Sequence, residues 1–161
     1  MDVVDKVALN KGYTFGIASD HAGVELKAHL TYLLRNRGQG HGHEVIDFGP
    51  ETPERVDYPD YATKVCAAVL GGRVDRGILI CGSGIGMSIA ANRYKGIRCA
   101  LVSDPYSAQL SRQHNNSNVI SLGARLTGFD QAWACVLTWI QTPFEGERHQ
   151  KRIDKLDLRA I

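Results

Sequence analysis

The chain has 161 residues, of which 43% are hydrophobic and 22% charged, and a formal net charge of +2. That length suits a single core, and so small a charge, spread along the chain, argues against a nucleic-acid partner. No apolar run approaches the length of a membrane span, and the N-terminal stretch lacks a signal-peptide core, so no membrane partner is expected either.

Residues 1–12 read as a loose N-terminal extension, and 13–161 as one domain. The first strand is TFGIAS (14–19), followed by the polar Ser19-Asp20-His21. The helix VELKAHLTYLLRNR (24–37) sets Leu26, Leu30, Leu33 and Leu34 on one face and stops at Gly38. The linker after it carries His41 and His43, but two loop histidines without further ligands do not make a metal site, and no metal is expected. EVIDF (44–48) is the second strand, DYATKVCAAVLGG (60–72) the next helix, and GILIC (77–81) the third strand. IRCALV (97–102) follows as the fourth strand, then the helix DPYSAQLSRQHN (104–115), opened by Asp104 as N-cap and Pro105. NVISL (118–122) is the fifth strand, and a helix over 128–140 carries Trp133, Val136, Leu137 and Ile140 as a core stripe. The tail FEGERHQKRIDKLDLRAI reads as a charged helix that leaves the sheet.

These strands are too apolar for half-exposed hairpins and suit a parallel sheet covered on both faces. Repeated strand–helix units predict an α/β fold, a doubly wound three-layer α/β/α sandwich around a five-stranded, mainly parallel, Rossmann-like sheet. In such sheets ligands sit beyond the carboxyl ends of the strands. The candidate positions are therefore Ser19-Asp20-His21, Cys81-Gly82-Ser83, Ser103-Asp104 and Gly123-Ala124-Arg125. The four cysteines, Cys66, Cys81, Cys99 and Cys135, include no CxxC pair. Zinc and a secreted disulfide scaffold are thereby disfavoured, and a cytoplasmic protein with free thiols is expected.

ILICGSGIGMSIAANR (78–93) carries the chemistry. A dinucleotide fingerprint would fit Gly82 and Gly84, with Asp104 as the ribose-binding acid, but Met87 stands where the third glycine belongs. A phosphate-loop ATPase would need a lysine that GMSI lacks. A cysteine phosphatase would need an arginine where Met87 stands. What remains is a loop whose amides, from Gly82 through Ser83, Gly84 and Ile85 to Gly86, point into one cup at a helix N-terminus. The cup could hold a resting phosphate or an oxyanion formed during reaction. Cys81 beside it is either a thiolate favoured by those amides or a small apolar residue at a strand end.

Five ordered blocks, SDHAG (19–23), DYPDYA (57–62), ILICGSGIGMSIAANR, SAQLSRQHNNSNVISLGAR (107–125) and FEGERHQKR (144–152), resemble type B ribose-5-phosphate isomerases. That family also includes isomerases of galactose 6-phosphate and allose 6-phosphate. The resemblance implies an aldose–ketose isomerisation without a cofactor. Cys81 would be the base, with the Met87 position marking the thiolate branch rather than the glutamate branch, and the Ser83 hydroxyl would assist the cup. His114 would help open the sugar ring, Asp20, His21 and Asn115 would hold hydroxyls, and Tyr58 would wall the pocket. Arg125, with Arg148 and Arg152 one helical turn apart, would anchor the phosphate. In the family the tail arginines come from the neighbouring subunit, which implies a homodimer or homotetramer with shared sites. The linker before the second strand is longer than in the family and leaves the preferred sugar open.

Overall fold

A computed structural model describes residues 12–37 and 42–157. Five strands, β1 (Thr14–Ser19), β2 (Glu44–Asp47), β3 (Arg76–Cys81), β4 (Cys99–Leu101) and β5 (Val119–Gly123), form one sheet in the order β2-β1-β3-β5-β4. Every pairing is parallel. The helices are α1 (Val24–Arg37), α2 (Tyr58–Leu70), α3 (Ile85–Ala91), α4 (Pro105–Asn115), α5 (Phe129–Gln141) and α6 (Arg148–Ile153), with a single 3-10 turn at His21–Gly23. No described helix is long and apolar enough to cross a membrane.

Alternation along the strands divides the core in two. Ile17, Ile78 and Ile120 are register partners and pack with Leu26, Leu30 and Leu34 of α1, Ala108 of α4 and Trp139 of α5. The opposite face, from Ala18, Leu79, Cys81 and Val119, packs with Ala62, Val65 and Cys66 of α2 and Met87 and Ala91 of α3. Three layers result, as the apolar strands require.

Local expectations shift in three places. The second helix begins at Tyr58 with Pro59 in its first turn, because proline is pre-organised for that position. The stripe of α5 is rotated: Ala132, Cys135, Val136, Trp139 and Ile140 are buried, while Trp133 and Leu137 are half-buried. Both stripes satisfy a helical period, and only the angle at which the helix meets the sheet chooses between them. The tail leaves the sheet, as expected, but stays on the fold within the described residues, packed against α4. Its helix α6 has six residues and buries His149 and Ile153.

Residues 1–11, most of the expected N-terminal extension, lie outside the described residues, as does His41. His43 serves packing: its Nδ1 accepts the Tyr13 N–H at 3.1 Å and its ring meets Phe15 edge-on.

Candidate active site

The strand order places a topological switch between β1 and β3, where connections from neighbouring strands leave in opposite directions. Two of the predicted segments meet there. Ser19 pairs with Ile80, and the Asp20 N–H donates to the Ile80 carbonyl at 2.9 Å. Asp20 is 8% exposed, and its carboxylate accepts the Ala22 N–H at 2.9 Å, which caps the short turn. His21 Nδ1 accepts the Val56 N–H at 3.4 Å, leaving the Nε2 side of the ring as the donor.

Cys81 ends β3 and is 5% exposed. The chain then turns so that the Gly84 N–H donates to Cys81 Sγ at 3.1 Å, while the Ile85 N–H donates to Ser83 Oγ at 3.2 Å. Two of the five amides expected in the cup are thus engaged inside the loop. Those of Gly82, Ser83 and Gly86 have no partner among the described residues. One amide is aimed at the sulfur and three remain for a ligand, so the loop can hold charge on the thiol and charge beside it.

The fifth strand clamps the loop. Ala124 N–H donates to Cys81 O at 2.8 Å, Arg125 N–H to Gly82 O at 3.0 Å, and Ser121 Oγ to Gly84 O at 2.6 Å. Approach this close requires glycine twice. A methyl group on Gly123 would lie 2.6 Å from Ser83 O, and Gly84 has φ +78° with Leu122 C 2.9 Å from where its Cβ would be. Gly84→Ala is therefore expected to lose about 1–2 kcal/mol from the left-handed backbone, with further loss from the contact. A lower thermal midpoint together with impaired turnover would show it. An unchanged melting curve would count against the clamp.

Arg125 lies over Gly82, with Nη1 3.2 Å from the position of a Gly82 Cβ, and the Tyr58 ring covers Gly86, its Cζ 2.8 Å from a Cβ there. Met87 is fully buried in the same half of the core as Cys81, the face packed by α2 and α3. Asp104 does not suit a ribose: its carboxylate accepts both the Ser107 N–H and the Ser107 hydroxyl at 2.8 Å. Moreover, β5 stands between β3, which leads into the glycine loop, and β4, which leads to Asp104. The dinucleotide fingerprint fails on both counts.

Burial discourages ionisation of the other three cysteines. Burial pushes the Cys66 and Cys135 thiols up to about 11, and burial with the nearby Cys66 raises Cys99 as well. Iodoacetamide at neutral pH is expected to modify Cys81 ahead of the other three, read by peptide mass spectrometry. Faster labelling of Cys66 or Cys135 would contradict this arrangement.

The remaining predicted residues lie elsewhere in the chain. After β4, α4 runs back along the sheet and ends at Asn115, where Arg98, just before β4, donates from Nε to the Asn115 carbonyl at 3.0 Å. His114 and Asn115 therefore stand at the amino edge of the sheet, with Cys81 at the carboxyl edge. An 11-residue helix spans about 16 Å. His114, Asn115, Arg148 and Arg152 thus do not join Cys81 within one chain. Arg125 likewise stays with the glycine loop, apart from Arg148 and Arg152. A hollow of about 790 Å³, bounded by residues such as Tyr94, Arg98, Asn115 and Asp157, opens at this amino edge.

His149 is a residue that sequence reasoning missed. It is 4% exposed, its ring stacks on His114 with centroids 4.4 Å apart, and its Nε2 lies 3.5 Å from Glu145 Oε2. Burial, the Arg148 guanidinium and the His114 ring hold it below the ordinary histidine value. Its only signal in the sequence was its place in a quoted block between two arginines.

Comparison with known proteins fits this geometry. The family model for ribose/galactose isomerases matches residues 15–156. The chain belongs to the ribose/galactose isomerase family. This isomerase is 50% identical over 137 residues to ribose-5-phosphate isomerase B of Escherichia coli (strain K12), covering 85% of this chain and 89% of that one. It is 39% identical over 144 residues to a D-erythrulose-4-phosphate isomerase of Pectobacterium atrosepticum, covering 89% and 92%. The ribose 5-phosphate isomerase of Thermotoga maritima superposes with a TM-score of 0.87 at 50% identity, covering 92% of this chain and all of that one (100%). The isomerase thus has the fold of these enzymes and is itself an aldose–ketose isomerase.

Proposed function

We propose that residues 13–161 form one sugar-phosphate isomerase domain that interconverts ribose 5-phosphate and ribulose 5-phosphate through a cis-enediolate, as in the pentose phosphate pathway. The observation that carries the reading is Cys81 Sγ held 3.1 Å from the Gly84 N–H beside three unengaged amides. In the open-chain aldose the Cys81 thiolate takes the C2 proton, and the electrons left behind move into the carbonyl to form the enediolate. The amides of Gly82, Ser83 and Gly86 and the Ser83 hydroxyl hold its charge. The hydroxyl proton on O2 passes to O1, and the thiol returns the carbon-bound proton to C1, which leaves C2 as the ketose carbonyl. Asp20 and His21 hold hydroxyls, Tyr58 closes the wall above Gly86, and no cofactor enters.

The ring-opening His114, the hydroxyl-binding Asn115 and the phosphate-binding Arg148 and Arg152 come from a second copy of the chain, because one chain keeps them at the far edge of its own sheet. Arg125 approaches the same substrate from the side of Cys81. Support for a covering partner comes from α3, where Ile85 is 50% and Ile89 54% exposed, one turn apart and beside Leu101 at 45%. Apolar side chains grouped around a polar site mark an interface. A homodimer is the minimum assembly, and a homotetramer pairs two of them. Four free cysteines suit the reducing cytoplasm.

A side-by-side panel of ribose 5-phosphate, erythrose 4-phosphate, allose 6-phosphate and galactose 6-phosphate tests the substrate. Ribose 5-phosphate is expected to give the highest kcat/KM, by about tenfold or more. Inactivity with every aldose phosphate would reject the reading, whereas a six-carbon preference would move the substrate and keep the chemistry.

A further inference from the structure

A second group of chemistry-bearing side chains gathers where α6 meets the end of α4. The rings of His114 and His149 stack with their planes 13° from parallel. One donor atom each from His114, Glu145 and His149 lies within 4.8 Å of the other two. His149 is 4% exposed, and its Nε2 is buried with no hydrogen-bond partner among the described residues. A buried ring nitrogen left unpaired carries a desolvation penalty. This one faces a carboxylate, with Glu145 Oε2 at 3.5 Å.

We propose that His114, Glu145 and His149 bind a divalent transition-metal ion of the zinc, nickel or cobalt class, and that the bound ion inhibits the isomerase by occupying His114. Two imidazoles and one carboxylate form a donor set that such borderline ions accept, with a fourth position left for water or an anion. Parallel stacked rings cannot aim both in-plane lone pairs at one point. The His114 ring, half-buried and the freer of the two, must turn out of the stack, bringing the donor atoms to the separation of about 3.4 Å that tetrahedral bonds near 2.1 Å require. His149 supplies the fixed ligand. Glu145, 46% exposed, supplies the mobile one and offsets the charge of the exposed Arg148 and Arg152 nearby. A nitrogen bound to the ion has no lone pair for a proton, so ring opening stops. The inhibitory half rests on the reading of His114 given above; the binding half does not.

The purified full chain is titrated with Co²⁺, followed by visible absorption, and with Zn²⁺, followed by calorimetry. One ion per chain is expected, with a nitrogen–oxygen Co²⁺ spectrum free of thiolate charge transfer. His149→Gln and Glu145→Gln, checked for folding by circular dichroism, should each weaken binding by about 10- to 100-fold. Metal-free Glu145→Gln should turn over at the wild-type rate and need about tenfold more Zn²⁺ for the same inhibition. Absence of binding, or equal binding in both folded variants, would overturn the site. Variant-sensitive binding without inhibition would keep the site and overturn its inhibitory role. Metal-free turnover of His114→Asn tests the ring-opening role separately.

Discussion

Replacing Cys81 with alanine is expected to lower turnover of ribose 5-phosphate by about 10³-fold, within the range that general acid–base groups supply, while substrate affinity changes little. In the proposed mechanism the sulfur at the end of β3 is the base, and it receives the Gly84 N–H at 3.1 Å. Binding in that proposed mechanism depends on other atoms: the amides of Gly82, Ser83 and Gly86, the Asp20–His21 corner, and the arginines. Truncation at Cβ leaves those in place, because the loop is clamped from outside by Ala124, Arg125 and Ser121. Stopped assays of ketose formation and calorimetry with the sugar phosphate separate the two effects. Cys81→Ser should fare little better, since a hydroxyl in the same pocket is a far poorer base. Turnover of Cys81→Ala within tenfold of wild type would place the base elsewhere.

The second large effect is expected on mixing. Cys81→Ala and His114→Ala should each be nearly inactive alone, and restored on subunit exchange to about a quarter of wild-type sites. Random pairing makes half of the dimers mixed. In each mixed dimer one of the two sites unites an intact Cys81 with an intact His114. The separation of about 16 Å between the carboxyl edge and the end of α4 is the reason, since no side chain spans it within one chain. Activity that stays at the sum of the two mutants after proven exchange would return His114 to its own subunit or remove it from the reaction.

Much of this was legible in the residues. The apolar strands, the Leu26–Leu34 stripe, the Asp104 cap and the glycine loop after Cys81 are local signals, each set by a few neighbours along the chain. Even the hydrogen bond from Gly84 to the sulfur joins residues three apart. The α5 stripe is ambiguous in the residues because one apolar set containing Trp133 and another containing Trp139 each recur at a helical period. His149 went unassigned because nothing adjacent in sequence announces its stacking on a ring 35 positions away.

The sequence by itself determined that strands alternate with helices, that a thiol stands at the head of an amide-rich loop, and that Asp20 and His21 follow the first strand. These outcomes need only backbone preference and side-chain chemistry over a turn or two. The tertiary structure alone decided that β5 inserts between β3 and β4, so that Gly123 rather than Asp104 borders the loop. It also decided that α4 carries His114 to the opposite edge of the sheet, and that α6 folds back onto it. Those outcomes depend on which distant apolar faces bury one another, and residue spacing along a chain holds no direct record of that choice.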